Sequence, residues 1–130
     1  MIRDACSSDF EAIFNLETQV HQIHFNARPD MVKPDVPFNK EYYETCLSDE
    51  DMKIFVYEEN GDVLGYCITR ILRHSNHHLF CDMTVLEIND MCVDETVRGK
   101  AIGYQLFSYA KEYASKIGAT KLELSVWAFN

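Results

Sequence analysis

The stretch Leu86 to Phe107, LEINDMCVDETVRGKAIGYQLF, constrains this chain more than any other. Leu86 to Val93 reads as a strand, and Asp94 to Val97 as a short polar turn. Arg98-Gly99-Lys100-Ala101-Ile102-Gly103 is then a basic corner rich in small residues, from which a helix starts. A strand that stops at such a corner is how α/β proteins hold phosphates. Backbone N–H groups converge there, and the helix dipole favours negative charge. The remaining chain reads as scaffold for that corner, or as the walls of a pocket beside it.

Met1 to Ala5 is short and partly apolar, a first strand. Ser8 and Glu11 have capping-box spacing, and Ile13, Leu16, Val20 and Ile23 step by three and four, so a helix with one buried face is predicted to about His24. Pro29, Pro34 and Pro37 break the next segment, because proline neither continues a helix nor lets its predecessor do so freely. Asn39 caps a second helix, Lys40 to Leu47, with Tyr43 and Leu47 on one side; Ser48 to Asp51 is a solvated acidic turn. Lys53 to Glu58 is a strand by its β-branched and aromatic content. Asn60-Gly61 turns it into a hairpin with Val63 to Leu72, since both residues tolerate positive φ. Arg73 to His78 is a second turn and Leu79 to Val93 a third strand, giving an antiparallel meander.

After the corner, Ile102, Leu106, Ala110, Tyr113, Ala114 and Ile117 form a helical stripe, which Gly118 stops. Thr120 to Trp127 alternates as a last strand, and a strand-helix-strand crossover makes it parallel to the strand before the helix. The predicted fold is a single α/β (α+β) domain with a mixed sheet, in the order strand, two helices, three strands, helix, strand.

Composition narrows the function. A chain of 130 residues with 47% apolar content supports one core, and no apolar run approaches the roughly 20 residues of a membrane span. A cytoplasmic protein with no membrane partner is expected. The five cysteines are scattered without a C-x-x-C pair, which fits reduced thiols. His74, His77, His78 and Cys81 gather near one turn, but their spacing matches no zinc pattern, so no metal is expected. A net charge of −9 argues against nucleic acid and suits a cationic substrate, and it makes Arg98 and Lys100 stand out as a local place for an anion.

The corner and the order of elements together resemble the GNAT N-acetyltransferases. Their central motif is Arg/Gln-x-x-Gly-x-Gly/Ala, read here as Arg98-Gly99-Lys100-Ala101-Ile102-Gly103 after Met91-Cys92-Val93-Asp94. The resemblance runs from Ile2-Arg3 to Val126-Trp127 and Asn130. It implies acetyl-CoA as co-substrate, its pyrophosphate cradled by the N–H groups of residues 98 to 103. It implies a bulged strand before the corner, splayed from the last strand, with Met91, Cys92 and Val93 free to pair with pantetheine and to polarise the thioester carbonyl. Ala101 replaces the commoner glycine, which requires negative φ there if alanine is to be tolerated. In the family an asparagine, here Asn130, leads into a further helix bearing a tyrosine that protonates the leaving thiolate, and then into final strands. The chain stops short of these by about 20 to 40 residues relative to a usual domain. A truncated form is expected, with Trp127 and Phe129 near an open strand edge through which a homodimer could form.

Acyl transfer needs a neutral amine, and a carboxylate acting directly or through water removes the proton. Glu87 and Asp90 are the candidates. Asp90 matches an acidic position of some polyamine-acetylating relatives, whereas Asn89 stands where those relatives have a glutamate. His21, His24, Arg28 and Asp30 fall in the region that lines the acceptor pocket in the family. His24 and Arg28 are expected acceptor contacts, Arg28 for an acceptor carboxylate, while Asp30 and Glu41 would favour a polyamine. Cys92 has no evident basic partner to make it an acetyl carrier. The expected activity is direct acetyl transfer from acetyl-CoA to a primary amine of a small molecule, amino acid or peptide. The alternative is a non-catalytic acyl-CoA-binding or protein-interaction domain of the same fold.

Overall fold

The computed structural model describes residues 1–33, 39–75, 78–79, 81–97 and 101–124. The elements are β1 (Ile2–Asp4), α1 (Phe10–Ala27), α2 (Lys40–Ser48), β2 (Met52–Glu59), β3 (Asp62–His74), β4 (Met83–Val93), α3 (Ile102–Lys116) and β5 (Lys121–Leu124), with 3₁₀ turns at Ser7–Asp9 and Glu95–Val97. This is the predicted order. The sheet runs β1-β2-β3-β4-β5, antiparallel as far as β4, with β5 parallel to β4. Asn60 (φ 54°) and Gly61 (φ 85°) make the tight β2–β3 turn, both in the conformation that matches the twist of the flanking strands.

Strand alternation splits the apolar residues between two layers. Ile54, Val56, Tyr66, Ile68 and Cys92 pack on one face under α1 and α2, against Ile13, Leu16, Tyr43 and Cys46. Phe55, Cys67 and Ile88 pack on the other face under α3, against Ile102, Leu106 and Ala110. Among the described residues no helix is long and apolar enough to cross a membrane.

Three boundaries differ from the sequence reading. The capping box belongs to Cys6 and Asp9 and opens the 3₁₀ turn that leads into α1, with Cys6 N–H donating to Asp9 Oδ2 at 2.8 Å, while Ser8 and Glu11 are exposed. Arg3 accounts for the difference. Its guanidinium grips both Asp9 oxygens (2.8 and 2.9 Å) and also Glu58 (2.8 Å), which holds the Asp9 carboxyl below the usual carboxylate range. Helix α1 continues past His24 to Ala27, ending where Pro29 pushes Arg28 to φ −138° and ψ 69°. Strand β4 begins at Met83 rather than Leu79, which is 72% exposed. At the other predicted stop, Gly118 takes φ 74° just beyond the end of α3.

Gly65 decides how closely α3 approaches the sheet. A Cβ there would sit 3.1 Å from the Cys92 carbonyl oxygen, 3.1 Å from Leu106 Cδ1 and 3.3 Å from Ile102 Cγ2. The carbonyl is backbone and cannot swing aside. Gly65→Ala is therefore expected to destabilise the fold by about 1–3 kcal/mol, read as a lower urea midpoint at unchanged slope.

Candidate active site

The site is built around an irregularity in β4. Ile68 lies opposite Asp90 and Thr69 opposite Ile88, so Asn89 is an extra residue with no partner on β3. Side chains two apart on a strand normally share a face. Here Ile88 lies in the α3 layer, whereas Asp90 bonds to Tyr66 on the α1/α2 side. The bulge has turned Asp90 over, re-aiming a side chain as bulges commonly do.

Asp90 meets two partners that the sequence reading did not identify. The Tyr66 hydroxyl lies 2.6 Å from Asp90 Oδ2 and also bonds to Glu17 Oε2. Glu17 stands one turn after Ile13 on α1, and Tyr66 belongs to the inward set of β3. A signal for Glu17 was present: at i+4 from Ile13 and i−3 from Val20 it is a carboxylate on the apolar stripe. Burial, followed by hydrogen bonding and charge from Asp90, raises the Glu17 carboxyl from its ordinary 4.5 to about 8. Tyr66 is pushed upward, first by its own burial and then by the two acids.

The two acids form part of a cavity of about 430 Å³, lined by Glu17, Val20, His21, His24, Tyr42, Ile68, Asn89 and Asp90. His24 is in the predicted place. Ile23, assigned by periodicity to the buried stripe, is 38% exposed, and the half-buried His24 takes the inward position instead. His21 bonds through Nε2 to the Lys33 carbonyl at 2.7 Å, tying the residues after α1 back to the helix. The structure does not bring the other predicted residues here. Arg28 is exposed and paired with Asp30 at 2.9 Å outside the cavity lining, and Glu41 is likewise outside it. Glu87 lies beyond the bulge, opposite Arg70 and away from the cavity.

On the cofactor side, pairing of β4 with β5 extends to Ile88 opposite Leu124. Along Asn89 to Val93 no described strand occupies that edge. Met91 and Val93 point their side chains into the α3 layer and Cys92 into the other, where its thiol donates to the Leu16 carbonyl at 3.4 Å. Cys92 is thus a buried packing residue. Helix α3 opens at Ala101 and Ile102 with no side chain capping it and no acidic residue in its first turn. Among the described residues a Cβ on Gly103 would meet only Val93 Cγ2 at 3.7 Å, an ordinary contact, and the glycine leaves its N–H open to close approach by an anion. These residues fit a diphosphate. Arg98, Gly99, Lys100 and Asn130 lie outside the described residues, as do His77, Trp127 and Phe129. Among the described residues no three His, Cys, Asp or Glu side chains group as metal ligands.

Ala101 corrects one expectation. It takes φ 60° and ψ 24°, the left-handed region, and its carbonyl accepts the Gln105 N–H at 3.0 Å. Alanine is held there at a steric cost of about 1–2 kcal/mol because the helix start requires that backbone shape.

The profile of the acetyltransferase (GNAT) family matches residues 10–130, and the chain belongs to that family. It is 29% identical over 126 residues to the uncharacterised N-acetyltransferase YhfO of Bacillus subtilis, covering 95% of this chain and 76% of that one. A crystal structure of a point mutant of the BH1408 protein from Bacillus halodurans superposes with a TM-score of 0.95 at 27% identity, over 100% of this chain and 84% of that one. The aminoglycoside N-acetyltransferase AAC(6')-Iy in complex with CoA shares the fold, with a TM-score of 0.73 at 15% identity over 100% of this chain and 81% of that one. Acetyl-CoA-dependent acetylation is the chemistry of this family.

Two outcomes follow from this geometry. Replacing Ala101 by glycine removes left-handed strain while adding unfolded-state freedom, for a net gain of about 0.5–1 kcal/mol in urea unfolding. CoA affinity measured by calorimetry should move by less than about tenfold, since the helix already starts correctly with alanine. Because the folded state raises Glu17 from 4.5 to about 8, its contribution to stability is complete below pH 4.5 and is lost as pH rises through 8. Thermal unfolding across that window should show falling stability in the wild type and a flatter profile in Glu17→Gln.

Proposed function

We propose that this chain transfers an acetyl group from acetyl-CoA directly to a primary amine of a small molecule, amino acid or peptide, with Asp90 taking the amine's proton. The observation that carries this reading is the Asp90 carboxyl, turned by the Asn89 bulge into a cavity it shares with Glu17 and held there by the buried Tyr66 hydroxyl. Asp90 lies on the same strand that runs into the anion corner, so an acceptor in the cavity and a cofactor at the corner meet along β4.

Acetyl-CoA, when bound, supplies the acetyl thioester. The N–H groups at the start of α3, together with Arg98, Gly99 and Lys100 of the family motif, would hold the pyrophosphate. Backbone groups of Met91, Cys92 and Val93 on the edge not paired with β3 direct the pantetheine arm and donate to the acyl oxygen as charge develops on it. Asp90 accepts a proton from the acceptor nitrogen, directly or through one water, leaving a neutral amine to attack. Glu17 and Asp90 make the cavity suited to a cation, in keeping with the net charge of −9. His24 and Tyr42 offer polar contacts nearer the rim, and Val20 and Ile68 offer apolar ones. The CoA-bound aminoglycoside enzyme acts on amines of a small molecule, but at 15% identity its likeness is one of fold and does not select the acceptor.

The test is thiol release from acetyl-CoA over a panel of alkylamines, polyamines, amino acids and aminoglycosides, in parallel with CoA binding. Turnover of at least one amine is expected, and Asp90→Asn should lower it by about 10²–10⁴-fold with CoA affinity retained. CoA binding without turnover of any amine would instead favour a non-catalytic acyl-CoA-binding domain.

A further inference from the structure

The Tyr66 hydroxyl carries one hydrogen and lies within hydrogen-bond distance of two carboxyl groups, Asp90 and Glu17. It can donate to only one of them. The other contact is a hydrogen bond only if that carboxyl carries a proton and donates it to the phenol oxygen. Two ionised acids around a single hydrogen would leave two negative charges in a mostly buried place with one unsatisfied contact. Among the described residues no lysine or arginine lines the cavity to offset them. The groups facing the cluster are His21 and His24 from α1 and Tyr42 from α2. Arg70 on β3 is exposed, with its guanidinium against Met52 Sδ at 3.5 Å, and Glu87 on β4 lies opposite it.

We propose that Glu17, Tyr66 and Asp90 hold one shared proton in the free protein, and that a primary ammonium enters the cavity in exchange for it. This deepens the acetyl-transfer reading and rests on it for the role of Asp90. On binding, the carboxyl O–H bond breaks and the proton goes to solvent. Two carboxylates, still joined behind by the Tyr66 phenol, then face the ammonium, whose charge takes the place of the lost proton. The exchange also prepares the chemistry, because the emptied pair can next accept a proton from the ammonium nitrogen, breaking an N–H bond and remaking a carboxyl O–H. Burial of the Glu17 carboxyl, which favours its protonated form, supports Glu17 as the shared proton's usual holder. Glu17 is on this account a positioning residue that tunes Asp90 and the acceptor's charge. A purely structural glutamate in the same place would not respond to amine.

The experiment uses the full chain with ¹³C-labelled Asp and Glu carboxyls, titrated by NMR with and without saturating n-butylamine as the probe. The Glu17 signal, assigned by its loss in Glu17→Gln, should titrate at least about two pH units above the other glutamates and fall by at least about one unit with butylammonium. Butylammonium should correspondingly bind at least about tenfold more tightly near pH 9 than near pH 6 in the wild type, and change less than about twofold in Glu17→Gln. A Glu17 carboxyl titrating with the other glutamates, or unmoved by the amine, overturns the proposal, as does tenfold pH dependence surviving in Glu17→Gln. Thiol release separates the two readings. Turnover with a pH-independent amine affinity sinks the proton exchange and leaves acetyl transfer standing, whereas exchange without turnover does the reverse.

Discussion

The structure depends on one extra residue in β4. Were Asn89 an ordinary paired position, Asp90 would share the face of Ile88 and enter the apolar layer under α3, where a carboxylate has no partner. With Asn89 inserted as an extra, unpaired residue, the strand keeps its pairing to β3 on both sides of the irregularity while the parity of its side chains reverses. Leu86 to Ile88 serve β5 and α3, and Asp90 serves the opposite face. The same irregularity marks the limit of the described β4–β5 pairing, so an acidic side chain and a backbone edge without a described partner occur on one short stretch.

Around that stretch, the two layers place different demands on the sheet. The α1/α2 layer must accept polar groups without leaving them unsatisfied. It does so by concentrating them: Glu17, Tyr66 and Asp90 bond to one another, and no buried side-chain nitrogen or oxygen among the described residues lacks a partner. The α3 layer is apolar and depends on close approach, with Ile102 and Leu106 resting where Gly65 has no side chain. That approach places the start of α3, and the left-handed Ala101 before it, at the end of β4. The strain at Ala101 and the missing side chain at Gly65 are two consequences of one requirement, a helix that must begin abruptly against the sheet.

Much of the site was readable where it depends on local chemistry. Asp90 and the corner from Arg98 to Gly103 stand in a recognisable run, and His24, expected near the acceptor from its position in the helix, lines the cavity. Periodicity misled at Ile23, because the apolar stripe of α1 gives way to polar residues where the helix leaves the core and reaches the cavity. It also concealed Glu17, whose phase fits the buried face although its chemistry does not. A carboxylate in that phase is itself a signal, since burying one requires a partner. Glu87 and Asp90 were indistinguishable in the sequence because both are acids on one strand, and neither pattern nor propensity locates a bulge between them.

By itself the sequence determined the order of the elements, the Asn60-Gly61 hairpin and the parallel last strand. Each of these follows from periods of 2 and 3.6 or from turn chemistry, which act over a few neighbouring positions. Only the tertiary structure decided which acids meet at the Tyr66 hydroxyl. Those contacts join residues 49 and 24 positions apart, through a hydroxyl on a third element. Their geometry depends on how a bulge, a helix phase and a strand register coincide. No local pattern encodes that coincidence, because each is free to vary until packing in the folded chain sets all three together.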